Sequence, residues 1–74
     1  MVLSVGKSYK ISKINYEKPS AKALVDMGLT KGIIFKVEKK APLGDPLILS
    51  IREYQLAIRK NDLSAFELER IHTI

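Results

Sequence analysis

Cysteine and tryptophan are both missing from this 74-residue sequence, and histidine occurs once, at position 72. Without cysteine there can be neither disulfides nor thiolate metal ligands, so a small extracellular scaffold held by bridges is excluded and a reducing cytoplasm fits. One histidine and eight scattered carboxylates do not assemble an intrinsic high-affinity transition-metal site, although a weak surface site across an oligomer contact stays open. The same scarcity bears on catalysis. A nucleophile needs a base near neutrality, His72 is alone, and no Ser, Thr or Lys pair is tied together by spacing. No catalytic, cofactor-binding or metal residue is therefore assigned. No apolar run approaches the roughly 20 residues that cross a bilayer, and MVLSVGKSYK lacks the apolar stretch of a secretion signal. The expectation is a soluble, cytoplasmic protein without direct membrane insertion.

Two familiar motifs are also incomplete. Gly6-Lys7-Ser8 looks like the tail of a phosphate-binding P-loop, but Met1 stands where the first glycine belongs and the following residues read as strand, so no helix N-terminus awaits a phosphate. Met27-Gly28-Leu29-Thr30-Lys31-Gly32 fails in the same way. Capture of proline-rich peptides by an aromatic groove would call for a tryptophan and clustered exposed tyrosines, whereas Tyr9 and Tyr54 fall in phase with apolar neighbours and are expected to pack inside.

What is present suits a small globular unit. At 46% hydrophobic and 28% charged residues the balance is far from that of a disordered chain. The length allows one modest core, and a single domain over residues 1–74 is expected. Charge is uneven: residues 1–40 hold nine lysines against Glu17, Asp26 and Glu38, and residues 41–74 hold four basic and five acidic side chains. A basic half can attract nucleic acid, anionic headgroups or an acidic protein surface. Spaced single lysines read first as a solvated surface, and no nucleic-acid partner is expected.

Hydrophobic period sets out the elements. Ser8-Tyr9-Lys10-Ile11-Ser12 alternates as a strand with one buried face. After a polar loop over 15–19, Ser20 is placed to cap a two-turn helix, Ala21 to Met27, with Leu24 and Met27 on one face and Gly28 as its stop. Ile33, Phe35 and Val37 lie on one face, with Ile34, Lys36 and Glu38 on the other; the same alternation holds for Leu47, Leu49 and Ile51, and then for Tyr54, Leu56 and Ile58; Phe66 and Leu68 supply the inward face of a short last strand. Successive strands joined by short links form an antiparallel meander, and one this small must bend into a partly closed barrel. The fold expected is all-β, or mainly β: a small SH3-like barrel of about five strands with one short α-helix.

Between the second and third strands stands KKAPLGDPLIL. Proline fixes φ and lacks an N–H while glycine permits φ > 0, so Pro42-Leu43-Gly44-Asp45-Pro46 can hold one shape with little entropy to lose. A loop that stays put can be recognised.

Taken in order, Leu3, Gly6, Tyr9 and Ile11, then Leu24-x-x-Met27-Gly28-Leu29-x-x-Gly32, then Ala41-Pro42-Leu43-Gly44-Asp45-Pro46, then Leu56-Ala57-Ile58-Arg59, and last Leu63, Phe66 and Leu68 resemble the FeoA family over about residues 3 to 69. The resemblance implies a cytoplasmic SH3-like accessory protein of bacterial ferrous iron uptake, working with the membrane transporter FeoB, whose cytoplasmic part binds guanine nucleotides. It implies no catalysis, cofactor or iron site in this chain. Lys31 replaces a frequent proline and Glu53 a frequent glycine; if Glu53 sits in a turn needing φ > 0, it carries local strain.

Together these readings make the chain a protein-interaction module. Pro42, Leu43, Gly44, Asp45 and Pro46, with Lys39, Lys40, Leu24 and Met27, are the residues expected to meet an acidic or apolar surface of the transporter, with Leu43 as anchor. The alternative is a free-standing iron-responsive regulatory or nucleic-acid-binding barrel, related to the C-terminal domain of diphtheria-toxin-repressor-type regulators. A homo-oligomer is open as well, through the strand near Leu68 or the loop.

Overall fold

A computed structural model describes residues 3–72. Its elements are β1 (Ser8–Ile14), α1 (Pro19–Asp26), β2 (Ile34–Lys40), β3 (Leu47–Ile51), β4 (Tyr54–Ile58), a 3₁₀ turn (Asp62–Ala65) and β5 (Phe66–Ile71). The five strands form one antiparallel sheet in the order β4-β3-β2-β1-β5, so the first and last strands pair, from Ser8 with Ile71 to Ile14 with Phe66. Register shifts between Ile11 and Lys13 and between Val37 and Lys39 mark bulges. Extra residues of this kind bend a strand and increase its twist. The nearly all-β architecture with one helix is the expected SH3-like one.

Inward alternation makes the core. Tyr9, Ile11, Phe35, Val37, Leu47, Leu49 and Ile51 are buried, and the Tyr9 and Phe35 rings stand 5.9 Å apart between centroids at a tilt of 33°. The Tyr9 hydroxyl accepts a hydrogen bond from the Ser4 N–H at 2.9 Å, so its polar end is satisfied. From the helix come Ala21 and Leu24, followed by Leu29, and Ile58, Leu63, Ala65 and Phe66 close the other side. Each buried valine, leucine, isoleucine or phenylalanine side chain contributes about 1.5–3 kcal/mol through burial.

The helix differs from expectation at its start. Lys18 is the N-cap residue without a side-chain cap bond, Pro19 opens the first turn, and Ser20 already lies inside the helix. Its Oγ donates to the Asp62 carbonyl at 3.0 Å and thereby ties α1 to the 3₁₀ turn. Proline at the first helical position supplies a preset φ and lacks a donor that would be orphaned there anyway, which makes a serine cap dispensable. The stop is as expected. Gly28 has φ +104°, its N–H donates to Val25 O at 2.9 Å and the Leu29 N–H to Leu24 O at 3.0 Å, the paired bonds of a Schellman ending.

Two further corrections concern the β3–β4 hairpin. Ile51 pairs with Tyr54 across a two-residue turn, and the positive φ falls on Arg52 (52°), with Glu53 outside the left-handed region. Tyr54 is not a core residue: it is 41% exposed, and its hydroxyl donates to the Met27 carbonyl at 2.9 Å. Its phase matches Leu56 and Ile58, but it stands at the hairpin end, where the pleat carries it past the core onto the C-terminal end of α1.

Candidate functional site

The link between β2 and β3 is built by its own sequence. Pro42 occupies the second position and Gly44 the fourth of a turn in which the Gly44 N–H donates to Ala41 O at 2.7 Å, the placements those residues favour in a type I turn. The Ala41 N–H donates to Pro46 O at 3.0 Å and closes the base of the loop. The Asp45–Pro46 peptide bond is cis. A third tether comes from far along the chain, where the Lys60 N–H donates to Asp45 Oδ1 at 2.8 Å. At the tip of this pinned loop Leu43 is 97% exposed, beside an exposed Pro42.

Around the loop the expected contact residues are divided. Lys39 and Lys40 end β2, paired with Ile48 and Leu47; they alternate across the strand, Lys39 exposed and Lys40 half-buried. On the helix, Leu24 is 3% exposed and belongs to the core, while Met27 is 47% exposed. Leu24 and Ile58 instead floor an open cleft of about 500 Å³ between α1 and the end of β4, with Met27 and Arg59 at its margin. Loop and helix share a neighbour in the segment 59–62: Asp45 binds the backbone of Lys60, and Ser20 that of Asp62. No local pattern in the sequence announces those two bonds, since their partners lie 15 and 42 residues apart.

Other chemistry is placed plainly. Ser8 of Gly6-Lys7-Ser8 begins strand β1, so the glycine turn leads into a sheet and not into a helix. Among the described residues no group of three or more His, Cys, Asp and Glu side chains could hold a metal ion, and no helix is long and apolar enough to cross a membrane. His72 is exposed.

The architecture has close counterparts. A FeoA-like protein of Clostridium acetobutylicum superposes with a TM-score of 0.89 at 29% identity, over 97% of this chain and 84% of that one. A protein of Pseudomonas aeruginosa gives 0.73 at 32% identity, over 96% and 97%. The FeoA of Stenotrophomonas maltophilia, solved with zinc and described as a procaryotic SH3 domain protein, gives 0.74 over 90% and 84%; at 20% identity that likeness speaks for the fold alone. In sequence, the FeoA domain matches residues 2–70, a span that runs from ahead of β1 almost to the end of β5 and includes the whole pinned loop. A match carried through every strand and the link between β2 and β3 places this chain in the FeoA domain family.

Proposed function

We propose that this chain is a cytoplasmic, non-enzymatic accessory protein of bacterial ferrous iron uptake, a protein-interaction module that docks on the cytoplasmic part of the transporter FeoB. Family membership supports the pathway. The observation that supports the docking site is Leu43, 97% exposed at the tip of a loop tethered by three hydrogen bonds. A leucine held out on a stiff turn loses little freedom on association, and complete burial of its side chain contributes about 1.5–3 kcal/mol. Pro42, Gly44, Asp45 and Pro46 shape the turn, and Lys39 and Lys40 add positive charge at its base. Met27, exposed at the C-terminal end of α1 beside Tyr54, is a separate contact in this reading, and Leu24 holds the helix from within the core.

The test is binding to the isolated cytoplasmic part of FeoB, measured by calorimetry, for wild type, Leu43→Asp and Gly44→Val. Leu43→Asp should weaken binding about ten- to hundredfold, the equivalent of the burial energy lost, with thermal stability unchanged. Gly44→Val should weaken it too, because Gly44 sits at φ +87°, a conformation that a β-branched residue adopts only with strain, so the turn that presents Leu43 is distorted. Wild-type affinity in both folded variants would remove the loop from the interface.

A further inference from the structure

A second concavity lies beside Lys40 and Leu47, the pair from which the loop springs. It is a groove of about 460 Å³, within the range of roughly 300–1,000 Å³ usual for binding clefts, bounded by the base of the β2–β3 hairpin on one side and β5 with its preceding 3₁₀ turn on the other. Leu3, Leu47, Leu63 and Phe66, each less than a tenth exposed, form its floor, and Leu68 is half-buried at its wall. Lys40 and Lys60 also line it, and no carboxylate does. Among the described residues the one ion pair within 4 Å is Lys36 with Glu38, so neither of these two ammonium groups has a carboxylate partner there.

The geometry points to a binding groove for an acidic, apolar segment of a partner protein, an extended stretch in which leucine-like side chains alternate with aspartate or glutamate. The apolar floor disfavours a bare inorganic anion, and two cations lining one cleft disfavour a neutral or basic segment. One carboxylate cannot neutralise two separate ammonium groups, which favours a peptide with several acids over a fatty acid. The floor residues are largely buried already, so charge pairing carries more of the affinity than new apolar burial and binding falls with salt. The groove is also continuous with the docking loop: Lys40 and Leu47 are the last cross-strand pair before it, and Lys60 is held to the loop through Asp45. A partner seated on Leu43 would bring its neighbouring residues to the groove. This inference rests on the docking reading and assigns that partner a second, acidic contact.

The experiment titrates the isotopically labelled full chain with an acetylated, amidated peptide of four Glu-Leu repeats, a four-repeat Lys-Leu control, and decanoate, followed by amide NMR shifts. Expected are shifts from the acidic peptide centred on residues 63–68, Lys40 and Lys60, binding weakened about tenfold or more in Lys40→Glu/Lys60→Glu, a similar loss between about 50 and 500 mM salt, and no effect of the basic peptide. Shifts scattered elsewhere, or equal binding by the charge-reversed variant, overturn the proposal. So do decanoate occupying the groove while the peptide does not, and concentration-dependent shifts at these residues without any probe, which would assign the groove to a second copy. The same charge-reversed variant is then measured against the FeoB cytoplasmic part. Wild-type affinity there, with Leu43→Asp still defective, sinks the groove and spares the loop; wild-type affinity in both sinks the docking reading itself.

Discussion

Replacing Gly28 by alanine should unsettle this protein out of proportion to the one methyl group added. Gly28 stands at φ +104°, and a Cβ built on it overlaps the Tyr54 hydroxyl. That hydroxyl is fixed by its 2.9 Å hydrogen bond to the Met27 carbonyl, so it cannot yield without releasing the bond. The backbone term for an L-residue in left-handed conformation is about 1–2 kcal/mol, and loss of the hydrogen bond adds about 0.5–1.5 kcal/mol. A total of about 1.5–3.5 kcal/mol compares with a stability of roughly 4–11 kcal/mol for a chain of this length. It should lower Tm by about 6–28 °C. Urea unfolding followed by circular dichroism would measure it, in a cycle with Tyr54→Phe. Removing the hydroxyl makes room for the methyl, so in that background only the backbone term should remain, a coupling of about 1 kcal/mol between the two sites. An alanine cost below about 0.5 kcal/mol, or the same cost with and without the hydroxyl, would refute the account of how Gly28, Met27 and Tyr54 close the helix end.

Two other substitutions follow from the geometry. Arg52→Gly should stabilise the protein by about 0.5–1 kcal/mol in the same assay, because Arg52 holds φ 52° at the first central position of a two-residue hairpin turn; a loss of stability would contradict the left-handed assignment. Asp45→Ala should speed hydrogen exchange of the Lys60 amide and cost about 0.5–1.5 kcal/mol, and an unchanged Lys60 amide would mean that the 2.8 Å tether does not hold the loop in solution.

Much of this molecule follows from pattern. Ile11, Phe35, Val37, Leu47, Leu49 and Ile51 alternate with polar or half-exposed neighbours, and all of them are core residues. The alternation can be read because a pleated strand turns successive side chains to opposite faces whatever it later pairs with. The same holds for the helix stop at Gly28 and the tight turn at Pro42 to Gly44, where the intrinsic φ preferences of glycine and proline decide the conformation locally. The candidate site was only half legible. The outward loop and its exposed leucine can be expected from KKAPLGDP, but Leu24, grouped with Met27 by helical spacing, turns out to face the core. A short helix sheds one side of its stripe to the interior, and which side depends on what it packs against.

Residue order alone was enough to specify strands, their inward faces and a stiff corner, since each follows from covalent and steric preferences spanning a few residues. Where Tyr54 comes to rest, why Ser20 bonds Asp62 instead of capping its helix, and how Asp45 reaches Lys60 were settled only when the bulged sheet curved and brought distant segments together. The groove between Lys40, Lys60 and β5 has the same origin. Such meetings depend on the summed bend and twist of five strands, a property of the assembled sheet that no short stretch of sequence contains.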